Sequence, residues 1–218
     1  MRKLCLLAAL CSPFAHAEVV RVEPNTFMRL PATTGVLQLE KLDVAEYGTL
    51  LIPAGVTQVS IDQLHLGREA RITIVPADTA IELRVAQAEL EEGSQINARG
   101  AAGNYEKPAR PARDLNVRIE SLQAPKLIID ARGGKGAPGY AGLDGGNGSE
   151  PGCTWGSAGK GHTGDNGGDG QAGAAGAHVR LELPRDYPDD WVSVRVDGGA
   201  GGNPGEAGRP GAGGKSKG

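Results

Sequence analysis

The sequence predicts a mainly β chain in two parts: a short parallel β-solenoid, then a polyglycine II-type bundle of three Gly-x-y ladders, with no transmembrane helix. Three observations predict it. An alternating apolar pattern recurs at a near-constant interval through the first half of the 218 residues. Glycine then stands at every third position in three separate runs, and 28 of the 35 glycines lie from Ala131 onward. Two Phe, four Tyr and two Trp are too few for a core built on aromatic rings. No apolar run in the sequence reaches the ~18 residues of a membrane-spanning helix. A formal charge of −3 offers no basic field for nucleic acid.

The first element is an export signal. Arg2-Lys3 opens the chain, an apolar stretch runs from Leu4 to Cys11, and Ala15-His16-Ala17 places small residues at cleavage spacing. This is the pattern of a secretory signal peptide over 1–17, removed after Ala17. The expected location is therefore periplasmic, cell-surface or secreted. Cys5 and Cys11 leave with the signal. Cys153 then stands alone, as a free thiol or as half of an intermolecular disulfide joining two copies.

Residues 18–130 carry the solenoid pattern. Leu37-Gln-Leu39-Glu-Lys-Leu42 is echoed by Val59-Ser-Ile61-Asp-Gln-Leu64, by Leu83-Arg-Val85-Ala-Gln-Ala88 and by Val117-Arg-Ile119-Glu-Ser-Leu122. A second alternating run follows each copy: Leu50 to Ile52, Ile72 to Ile74, Ile96, and Leu127 to Ile129. Leu42 and Leu64 are 22 residues apart, Leu64 and Ala88 are 24 apart. Such a period marks stacked rungs, and period-two alternation rich in Val and Ile favours strands. A β-sandwich is the alternative. Leucine-rich repeats fit less well, because Tyr47 stands where their turn needs Asn. Ala98 to Arg113, with Pro108, Pro111 and a cluster of arginines, is expected to be a solvated loop projecting from the stack.

Residues 131–218 carry the ladders. Gly133, Gly136, Gly139, Gly142, Gly145 and Gly148 form the first; Gly161, Gly164, Gly167, Gly170, Gly173 and Gly176 the second; Gly199, Gly202, Gly205, Gly208, Gly211 and Gly214 the third. A three-residue period belongs to the polyproline II helix, in which every third residue lies on one edge. Glycine there leaves a ridge without side chains, against which another backbone can pack closely. That helix has no internal hydrogen bonds, so its polar groups need partners next door. Strands precede ladders one and three, while Val179 to Leu183 follows ladder two, which predicts an up–down–up arrangement unlike the parallel chains of collagen. A flexible glycine-rich tail is the competing expectation.

This arrangement of strand and Gly-x-y run over 131–218 resembles exported bacterial proteins labelled collagen-like or glycine-rich. The bundle is similar to the glycine-rich domain of bacteriophage tail-fibre adhesins and to a snow-flea antifreeze protein. In such adhesins loops at the distal end meet the receptor. The resemblance therefore implies binding by the loop from Ser149 to Lys160, with Cys153, Thr154, Trp155 and Lys160 as candidate contacts.

Chemistry is otherwise sparse. Asp144, Glu150, Asp165 and Asp169 have no apolar pocket to tune them as a glycosidase pair. Gly134-Lys-Gly136-Ala-Pro-Gly139 matches a phosphate-loop spacing, but no helix follows. Asp165-Asn-Gly-Gly-Asp-Gly170 faintly resembles a calcium-binding β-roll repeat that does not continue, so no cofactor is expected and Ca2+ is the one metal considered. His65, His162 and His178 are scattered. The expectation is a non-enzymatic structural or adhesive protein of matrix, coat or biofilm, contacting a cell-surface glycan or protein receptor, without nucleic acid and with homo-oligomers open. A carbohydrate-active β-helix enzyme and an ice-binding protein are the alternatives.

Overall fold

A computed structural model describes residues 18–31, 35–150 and 157–215. The chain is mainly strands. Before the ladders these are β1 (Glu18–Val22), β2 (Phe27–Arg29), β3 (Val36–Val44), β4 (Thr49–Ile52), β5 (Gln58–Leu66), β6 (Arg71–Ile74), β7 (Ile81–Leu90), β8 (Gln95–Asn97), β9 (Leu115–Gln123) and β10 (Leu127–Asp130). Two more lie among the ladders, β11 (Val179–Glu182) and β12 (Val192–Arg195), the latter entered through a short 3-10 turn at Asp189–Trp191. Among the described residues no helix is long and apolar enough to cross a membrane.

The strands make two six-stranded sheets, β1-β3-β5-β7-β9-β11 and β2-β4-β6-β8-β10-β12, and every pair is parallel. Parallel pairing throughout sets the chain apart from a sandwich, whose sheets are antiparallel. The recurring anchors sit side by side: Leu42 pairs with Leu64, Leu64 with Ala88, and Ala88 with Leu122. Their partners in the second sheet are Leu50, Ile72, Ile96 and Ile129, all buried. Identical faces thus stack on one another, and the core is a column of Leu, Ile and Val between the sheets.

Each long strand also bends. Leu39 and Leu42 are buried while Glu40 and Lys41 between them are exposed, and the pairing register skips Glu40, Asp62, Ala86 and Glu120. An extra outward residue resets the two-residue alternation and divides the strand's outer surface into two faces. The first pair of strands, β1 and β2, lacks a recognisable copy of the motif and was not legible as a repeat.

The ladders continue the sheet. Parallel bonding between β10 and β12 runs on without interruption as Ala131 N–H to Arg195 O (2.7 Å), Gly133 N–H to Asp197 O (2.9 Å) and Gly136 N–H to Ala200 O (2.8 Å). It proceeds by threes to Gly148 N–H and Ala212 O (2.8 Å), so ladders one and three are parallel. Ladder two is antiparallel to both. Gly199 N–H donates to Ala174 O and Gly211 N–H to His162 O, each at 2.8 Å; Gln171 N–H donates to Ala137 O (2.8 Å) and Asp165 N–H to Leu143 O (2.9 Å). A Cβ at Gly136 would overlap Gln171 O, and one at Gly205 would overlap Tyr140 O. The missing side chain is what permits the contact.

One expectation is corrected. Segment 98–113 is largely exposed, as a solvated loop would be, but it lies against ladder one and does not project from the stack. Gly100 N–H donates to Arg132 O (2.9 Å), Gly103 N–H to Lys135 O (2.8 Å), and Gly134 N–H to Arg110 O (3.1 Å), which lays the segment along ladder one. Gly100 and Gly103 repeat the ladder spacing, and a Cβ at Gly100 would overlap Arg110 O. The stacked rings of Tyr105 and Tyr140, with centroids 4.5 Å apart, hold its outer turn.

Neighbouring glycines offer a sharp test of this packing. A Cβ at Gly167 would overlap Gly205 O, whereas one at Gly168 meets nothing closer than Tyr140 N at 3.4 Å. Gly167→Ala is expected to cost about 1–3 kcal/mol, as overpacking does, and Gly168→Ala to stay within about 0.5 kcal/mol of the parent. Urea unfolding of both variants checks this.

Candidate functional site

The sequence predicts a binding loop at the distal end of the ladders. Cys153, Thr154 and Trp155 lie outside the described residues. Lys160 is described and exposed. Gly159 N–H donates to Ser149 O (2.9 Å) and Gly214 N–H to Gly159 O (2.9 Å), so the three ladders end side by side and hold both roots of the loop. Just below, Asp144 Oδ1 accepts from Arg209 N–H (2.7 Å) and Asn147 Oδ1 from Ala212 N–H (2.9 Å). These two side chains bond main-chain donors that no ladder carbonyl reaches.

The junction between strands and ladders is electrostatically tighter. Asp130, 7% exposed, accepts from Arg132 Nη2 (2.7 Å) and Nε (2.9 Å), with Arg99 Nε 3.9 Å away. The hydrogen bond from the Arg132 side chain holds the Asp130 carboxyl below its usual range, against the opposing effect of partial burial. Arg113 lies at the end of the 98–113 segment and is fully buried. Its Nε donates to Thr79 O (2.7 Å) and its Nη2 to Val56 O (2.6 Å), so one guanidinium ties two inter-strand corners together. Its Nη1 has no partner, and burial lowers its pKa. The expectation that the arginines of this segment face solvent therefore fails at Arg113.

A third place was not anticipated. Beyond the bend, β3, β5, β7 and β9 present two outward columns in register. One is Lys41, Gln63, Gln87 and Ser121; the other is Asp43, His65, Glu89 and Gln123. They line a groove of about 520 Å3. His65 Nδ1 lies 2.8 Å from Asp43 Oδ1, and Nε2 lies 3.7 Å from Glu91 Oε1. The signal was present in the sequence as the polar residue one place either side of each Leu42-type anchor, but it takes the parallel register to align them.

The remaining candidates stay apart. His178 uses its main-chain N–H to bond Asp114 Oδ1 (2.8 Å), Asp165 lies along ladder two, and Gly134, Gly136 and Gly139 belong to ladder one with no helix after them. Among the described residues no group of three or more His, Cys, Asp or Glu is arranged to hold a metal. No family model, curated protein or solved structure matches the chain.

The lowered Asp130 carboxyl gives a pH dependence of known sign. A depressed carboxylate contributes stability that is present above its unfolded pKa, about 3.9, and is lost as pH falls through the lower folded value. Asp130→Asn is expected to cost about 1–3 kcal/mol at pH 7, and the gap from the parent should shrink below about pH 4. Urea midpoints at pH 7, 4 and 3 check it.

Proposed function

We propose that this chain is an exported, non-enzymatic structural or adhesive protein, built as a short β-solenoid that carries a polyglycine II-type bundle. The supporting observation is the main-chain bonding that continues from β10 and β12 through ladders one and three. One bonded N–H per triplet along each ladder, together with bare glycine edges, favours a stiff, hydrated rod over a tail. At about 3.1 Å per residue, a ladder of this length reaches roughly 50 Å from the sheets. A rod of that kind presents its distal loop to a receptor or to a neighbouring matrix molecule. Lys160 and the loop residues Cys153, Thr154 and Trp155 are the contacts in this reading, and Cys153 is available to link two copies.

Export predicts that the protein recovered outside the cytoplasm begins at Glu18, which amino-terminal sequencing reads directly. Recovery of the intact 1–17 segment in the cytoplasm contradicts it. Adhesion predicts that a strain lacking the chain attaches less well to cells or polysaccharide, and that Cys153→Ser with Trp155→Ala reproduces the defect while thermal unfolding is unchanged. Equal attachment by the lacking strain and its parent overturns the adhesive role.

A further inference from the structure

We propose that the outward face beyond the bend of β3, β5, β7 and β9 is a binding groove for a neutral, polyhydroxylated chain, an extended glycan laid across the strands. The proposal goes beyond the adhesive reading and does not depend on the distal loop. Register aligns the groups on this face. Parallel strands stand ~4.7–4.9 Å apart, so the two polar columns present one pair of side chains per step over four consecutive strands. A polymer of similar repeat, lying perpendicular to the strands, meets the same kind of group at each step.

The groups are also free. The side chains of Gln63, Gln87, Ser121 and Gln123 make no hydrogen bond within the described residues, although they line a concave surface of about 520 Å3. The face on the other side of the bend differs. There Arg84 pairs with Glu82 at 2.7 Å and Arg118 with Glu182 at 3.7 Å, and these charged residues stand between its amides Gln38, Gln58 and Asn116. Beyond the bend, by contrast, the carboxamides of Gln63 and Gln87 stand next to one another on adjacent strands.

Carboxamide chemistry selects the ligand class. Each Gln offers two N–H donors and a carbonyl acceptor, and a hydroxyl is both donor and acceptor. A row of Gln with a Ser therefore matches a row of hydroxyls in either orientation, which a row of like charges cannot do. Charge argues against a polyanion. Lys41 is opposed by Asp43 and Glu89, with Glu91 beside His65 at the rim. A polycation finds little more, because Asp43 is already held by His65 at 2.8 Å and approached by Arg21 at 3.9 Å. No Phe, Tyr or Trp lines the groove. Recognition thus rests on several hydrogen bonds in series, and an oligomer should bind where a single sugar does not.

The test uses the exported full chain and calorimetric titration with cellohexaose, maltohexaose and mannohexaose, with polygalacturonate and polylysine as charged comparisons. At least one neutral hexasaccharide is expected to bind, and Gln63→Ala with Gln87→Ala to weaken it at least tenfold. Both side chains are exposed and make no hydrogen bond within the described residues, so the thermal unfolding temperature should not move. Arg84→Ala, on the neighbouring face, should leave binding unchanged. The proposal is overturned if no neutral hexasaccharide binds at millimolar concentration, if only a charged polymer binds, or if the double variant binds like the parent. These outcomes are separate from the attachment assay, which reads the distal loop.

Discussion

Close approach of main chains is the constraint on which the ladder region depends. An L-residue carries its Cβ into the space beside its own backbone, and at Gly133, Gly136 or Gly202 that space is already filled by a neighbour's carbonyl. Removing the side chain brings backbones near enough to exchange N–H···O bonds of 2.8–2.9 Å along the full length of three segments. The cost is entropic, since glycine gives up more backbone freedom on ordering than any other residue. The return is satisfaction of main-chain groups that an extended helix cannot satisfy by itself.

The sheets supply the template for this. β10 and β12 are adjacent and parallel, so the ladders that leave them begin at hydrogen-bonding distance and in phase. β8 and β10 do the same for the 98–113 segment, through Ala98 N–H to Asp130 O at 2.8 Å and Gly100 N–H to Arg132 O at 2.9 Å. Asp130 and Arg132 lock the point where sheet becomes ladder, while Arg113 ties the returning segment to the corners at Val56 and Thr79. Arg113 is an expensive choice, a buried cation with no carboxylate against it among the described residues, and its three bonds to Val56 and Thr79 are what compensate its desolvation. The ladders thus leave the strands already in register with one another.

Much of this was legible in the residues. Leu42, Leu64 and Ala88 announced the strand register because in-register parallel stacking repeats the same apolar position at each step. The ladders were legible because only a close backbone contact demands glycine at a strict third position. What escaped has physical reasons too. Gly100 and Gly103 are two glycines, too few to display a period, so the segment passed for a charged loop. Burial of Arg113 runs against the ordinary exposure of arginine and is readable only once its carbonyl partners are located. The Gln63–Gln87 column belongs to no single stretch of chain, since four strands and their bends must align before it exists.

Amide hydrogen exchange, resolved by residue, tests the central claim most directly. In ladders one and three the glycine N–H is the donor, as at Gly139 and Gly205; in ladder two the donor is the residue after the glycine, as at His162, Asp165 and Gln171. Protection is expected at every third amide, displaced by one residue in ladder two relative to the other ladders, with Gly134, Arg209 and Ala212 as additional bonded amides. Uniformly fast exchange across 133–214, or protection without that displacement, would contradict it.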